Sequence, residues 1–61
     1  MKIKDLRIAA GLTQRQLAEK SKISRENISR YESGMRVPSI RSLKAIASAL
    51  GASVKDLVDD E

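Results

Sequence analysis

Helix-start and helix-stop signals follow one another so closely along this chain that no long helix fits between them. Thr13 can cap a helix N-terminus, and Gln16 three places on is the reciprocal partner of a capping box. Ser24, Ser39 and Ser53 offer further N-cap oxygens, and Asp56 repeats the box spacing after Ser53. Gly11, Gly34 and Gly51 sit where helices end on a left-handed residue. Pro38 argues against a helix running through Val37. Between these marks apolar residues recur at helical spacing: Ile3, Leu6 and Ala10; Leu17 and Ala18; Ile28 and Tyr31. The fourth run, Ile40, Leu43, Ile46, Ala47 and Leu50, is an amphipathic stripe, and Val54, Leu57 and Val58 form the fifth. The pattern predicts an all-α domain of five short helices, over about 2–10, 14–21, 25–32, 40–50 and a short stretch after Ser53. Met35 to Pro38 is read as a loop, and Asp59, Asp60 and Glu61 as a frayed acidic tail.

The 61 residues make one domain, 1–61. A chain this small buries only about 60% of its unfolded surface, so each large apolar side chain counts. Leu6, Leu12, Leu17, Ala18, Ile23, Ile28, Leu43, Ile46 and Leu50 are expected in the core. The stretch from Thr13 to Gly34 reads as two helices joined by a tight turn, each too short to be stable alone in water. Its outer helix is polar, and a polar helix held on an apolar base presents side chains to a partner.

Composition excludes several classes. Without Cys there is no disulfide framework, thiolate zinc site or cysteine nucleophile. Without His, the usual general base and the commonest metal ligand are missing. The eight Ser and the single Thr therefore lack a His or Cys partner for a nucleophile–base dyad, and the Lys and carboxylates show no catalytic spacing. No enzyme, cofactor, metal site or small-molecule site is expected. No apolar run approaches the ~20 residues of a membrane span, and the N-terminus lacks a signal-peptide apolar region. A soluble cytoplasmic protein is the default reading. Charge is unevenly placed: residues 1–36 carry +5 and residues 37–61 carry −1, for a total of +4. The basic half holds the helix pair, which suggests a polyanion on that side.

These residues resemble the DNA-binding domain of phage repressors and Cro proteins, the XRE-like helix-turn-helix family. The likeness runs through Leu6-Arg7, Gly11-Leu12-Thr13-Gln14, Leu17-Ala18, Ile23-Ser24, Ile28-Ser29, Glu32, Gly34, Pro38-Ser39, Leu43, Ile46-Ala47 and Leu50-Gly51. The resemblance implies a compact five-helix fold like that of lambda repressor, with the second and third helices as the helix-turn-helix. One position departs: the turn between those helices usually has glycine in the family where this chain has Lys22.

The resemblance also implies that the third helix enters the major groove, with Arg25, Glu26 and Arg30 reading bases and Asn27 and Ser29 beside them. Helical projection agrees, since Glu26 and Arg30 lie roughly opposite Ile28 and face outward when it is buried. Arginine can take guanine O6 and N7, and glutamate can accept from cytosine N4. The bland alternative is an i,i+4 ion pair of Glu26 with Arg30 on a solvated face. Gln14, at a helix start where backbone N–H groups receive phosphate, is expected on the DNA backbone. Arg36, Ser39 and Arg41 supply a second expected phosphate cluster, with Arg15 and Lys22 as lesser candidates. In the family the positions of Arg7 and Glu32 form a structural pair that seats the third helix. Tyr31, the lone aromatic, is read as packing.

The function expected is a sequence-specific binder of double-stranded DNA that regulates transcription. Repression is the favoured direction, since occupancy alone achieves it. The operator is expected to be near-palindromic, with a weak homodimer, assembled mainly on DNA, through Val54, Leu57 and Val58. The alternative for Leu57 is to fold back onto Leu50 as core, which leaves Val54 and Val58 as the better interface candidates. The rival reading is an antitoxin or protein-interaction module whose main contact is protein.

Overall fold

The computed structural model describes residues 1–58; the expected tail of Asp59, Asp60 and Glu61 lies outside them. Five helices occur in chain order: α1 Ile3–Ala9, α2 Gln14–Ser21, α3 Arg25–Ser33, α4 Ile40–Leu50 and α5 Val54–Leu57. The described residues contain no strand. The caps explain why each helix begins where it does. Thr13 accepts the Gln16 backbone N–H while the Gln16 side chain accepts the Thr13 N–H, and Ser53 with Asp56 makes the same reciprocal box. Ser24 and Ser39 accept from the N–H groups of Asn27 and Ser42. Each cap satisfies a donor that the first helical turn leaves unpaired.

α2 packs against both α3 and α4, α4 carries α5, and α1 touches α3 and α4. Ile3, Leu17, Ile28, Ile46 and Leu57 are the largest fully buried side chains, one from each helix. Leu43, Ala18 and Ala47 complete the buried cluster, with Leu6, Ile23, Tyr31, Leu50 and Val54 half-buried against it. The Lys2 N–H donates to the Leu57 carbonyl at 2.9 Å, which ties the start of the chain to α5.

Two expectations are corrected, for Leu57 as an interface residue and for Leu12 as core. Leu57 is fully buried within the single chain and cannot serve a dimer interface, because α5 folds back and inserts it among the core residues. Ile40 is 63% exposed, although it shares the helical stripe of Leu43 and Ile46. Periodicity tells which face of a helix is apolar, but not how far along the axis the covering helices reach. Leu12 is only half-buried and lies outside the core cluster; its carbonyl instead accepts from Arg7 Nη1 at 2.8 Å.

Candidate nucleic-acid interface

The turn that joins α2 to α3 sets how the outer helix is held. α2 ends on Lys22 at φ 61° and ψ 30°, and Lys22 is the only non-glycine residue with positive φ among those described. That left-handed step lets the chain reverse within two residues before Ser24 caps α3. Ser21, on the inner side of the turn, is buried, and its hydroxyl donates to the Leu17 carbonyl at 2.8 Å. α3 then runs with Ile28 pointing into the core while Arg25, Glu26, Ser29 and Arg30 stay exposed. Gly34, at φ 81°, ends the helix in the left-handed region.

Behind α3 lies a network of three residues from three helices. Arg7 of α1 donates to both oxygens of Glu32, from Nε at 2.6 Å and from Nη2 at 3.1 Å. The two side chains are 11% and 4% exposed, so the pair is largely withdrawn from water. Gln14 of α2 adds a third donor, its Nε2 to Glu32 Oε1 at 3.0 Å. The family resemblance implied the pairing of Arg7 with Glu32, but nothing in the sequence indicated that Gln14 would join them. One N–H of its side-chain amide is thus engaged with Glu32. The backbone N–H groups of Gln14 and Arg15 are left as the unpaired donors of the α2 start, since Thr13 serves those of Gln16 and Leu17.

In front of this network is an open groove lined by Gln14, Arg25, Glu26, Ser29 and Arg30. A neighbouring shallow hollow shares Gln14 and Arg25 and adds Arg7, Thr13 and Arg15 around the start of α2. Together they form one polar face carrying several cations. Arg30 Nη1 donates to Asn27 Oδ1 at 3.3 Å. No ion pair joins Arg30 to Glu26 among the described residues, and the Glu26 carboxylate is without a partner. Asn27 is half-buried beneath Arg30, its backbone N–H held by Ser24. Arg36, Ser39 and Arg41 are exposed on the α3–α4 connection and the first turn of α4, outside the groove. The Ser39 hydroxyl already accepts from the Ser42 N–H and donates to its Oγ. At the far end of the chain Val58 is 40% exposed and Val54 half-buried. The described residues hold no cluster of acidic side chains suited to a metal ion, and none of their helices is long and apolar enough to cross a membrane.

The helix-turn-helix family model matches residues 3–57. The chain is 42% identical over 60 residues to the immunity repressor protein of Bacillus phage phi105, covering 98% of this chain and 42% of that protein. It is 40% identical over 60 residues to the HTH-type transcriptional activator BcrR of Enterococcus faecalis, covering 98% of this chain and 29% of the relative. An uncharacterized HTH-type transcriptional regulator of Archaeoglobus fulgidus is 39% identical over 62 residues, with 98% of this chain and 89% of that protein covered. The chain thus spans less than half the length of the first two relatives. No solved structure gives a significant match.

Proposed function

The chain belongs to the helix-turn-helix family, and from that premise we propose that it is a sequence-specific, double-stranded-DNA-binding transcriptional regulator that acts as a repressor. The observation that carries the reading is the groove that gathers Gln14, Arg25, Glu26, Ser29 and Arg30 on the outer face of the helix pair. Arg25, Glu26 and Arg30 read base edges in the major groove, with Ser29 beside them and Asn27 orienting Arg30. The unpaired N–H groups at the start of α2, with Arg15 above them, receive one phosphate, which is what a helix N-terminus favours. Arg36, Ser39 and Arg41 hold the backbone farther along. Arg7 and Glu32 carry no DNA contact; they fix the seat of α3.

Both an activator and a repressor occur among the similar proteins. The domain reads an operator in either case, and repression asks nothing of it beyond occupancy. Two copies, meeting at Val54 and Val58, are proposed to bind a near-palindromic site in the cytoplasm. Titration with generic duplex DNA at low salt, followed by selection from a random duplex pool, tests the reading. Affinity that falls steeply with salt and a selected consensus are expected. No affinity at low salt would leave the protein-interaction reading in its place.

A further inference from the structure

We infer that Glu26 selects cytosine in the operator half-site, so that the site combines a cytosine taken by Glu26 with a separate guanine taken by Arg30. The inference rests on the DNA-reading function proposed above and assigns the base that one residue of its groove recognises. It begins from an oddity of the groove. A surface built only to hold phosphates would carry cations, yet this one is lined by the carboxylate of Glu26 as well as by Arg25 and Arg30. That carboxylate is exposed and has no hydrogen-bond or ion-pair partner among the described residues. Arg30, the cation one turn away, is engaged with Asn27 instead. Glu26 therefore does not serve to orient a neighbouring arginine.

An ionised glutamate can only accept hydrogen bonds. In the major groove, guanine offers N7 and O6, both acceptors, and thymine offers O4, so both repel it. Adenine has its N6 donor, but the adjacent N7 acceptor faces the second carboxylate oxygen. Cytosine has the N4 donor with no acceptor beside it on its own major-groove edge. Cytosine is thus the base that a free carboxylate tolerates best. Glu26 and Arg30 are four residues apart, about 6 Å along the helix, against ~3.4 Å per base step. That separation leaves room for the two contacts to fall on different base pairs. Glu26 also lies in the first turn of α3, where an acid favours the helix dipole. A dipole role alone predicts no base preference, so the two are separable.

The test is selection from a random duplex pool with the intact chain, Glu26→Gln and Glu26→Ala. Because Glu26 is exposed and unpaired, all three are expected to fold. For the unaltered chain, one position of each half-site should be cytosine, and its replacement should lower affinity on the order of 5- to 150-fold. Glu26→Gln should switch that position to adenine, whose N6 and N7 match an amide. Glu26→Ala should accept all four bases there, while the guanine position remains. An unchanged consensus in both variants overturns the assignment with DNA reading intact. A pool that stays random with the unaltered chain overturns the DNA-reading function and the assignment together.

Discussion

At Lys22 a single backbone angle is at odds with its side chain. The left-handed conformation costs a non-glycine residue about 1–2 kcal/mol, whereas glycine adopts it freely but loses more chain entropy on folding. Lys22→Gly should therefore stabilise the domain by up to about 1 kcal/mol, read as a higher urea midpoint at unchanged slope. A lower midpoint would mean that the turn carries no strain. The arginines divide by role in the same residue-level way. Arg30→Ala should cost about 1–3 kcal/mol at its preferred base and relax selection there, whereas Arg36→Ala should weaken all sequences alike and reduce the salt slope by about one. Uniform weakening by both variants would make Arg30 another phosphate contact.

Between elements, the Arg7–Glu32–Gln14 network joins α1, α2 and α3, the three helices that set where the outer face sits. Arg7→Met would leave a carboxylate that is 4% exposed with one amide for company, at a cost of roughly 3–5 kcal/mol. A domain of this size has about 3–9 kcal/mol in total, so that single change should unfold it partly or wholly. Replacing Arg7 and Glu32 together by apolar residues should cost less than the two single changes added; an additive double mutant would deny the coupling. The Ser53 box acts more gently on α5. The Ser53 N–H, then its hydroxyl, hold the Asp56 carboxyl below its ordinary range. A depressed folded-state value contributes stability above the unfolded value of ~3.9 and loses it as pH falls below. The stability difference between the protein and Asp56→Asn should accordingly shrink toward acid pH; a difference constant with pH would remove the charge from the explanation. Helix ends were legible in the sequence because caps are local: four serines and threonines and three glycines mark them within a residue or so. What lies between helices was less so. The exposure of Ile40, the partial exposure of Leu12 and the link from Gln14 to Glu32 depend on where other elements reach, which spacing within one helix does not encode.

For the molecule as a whole, size limits what one copy can read. The Cα extents are 29 × 22 × 18 Å, and successive major grooves on one side of the duplex lie about 34 Å apart. A single chain therefore brings one recognition helix to one groove, a few base pairs among the genome's many competing sites. Two copies on a near-palindromic operator would solve this, and the face that joins them must leave the basic groove free. With Leu57 locked into the core, the C-terminal end offers Val58, 40% exposed, with half-buried Val54 at its edge. Two side chains bury far less than a stable dimer interface of ~1,200–2,000 Å² requires. The proposed dimer is accordingly weak in solution and forms mainly on DNA, where both copies are held on the same duplex at high effective concentration. Val58→Asp places two like charges across the two-fold contact. It should abolish cooperative filling of paired half-sites while single-half-site affinity stays nearly unchanged, because the groove of α2 and α3 is untouched. Gel-shift titration on one half-site and on the full palindrome separates the two quantities. If the unaltered chain binds an isolated half-site as tightly as each half of the palindrome, nothing couples the copies and the dimer is wrong. If Val58→Asp lowers half-site affinity as well, the valine supports the fold of α5 and not a partner.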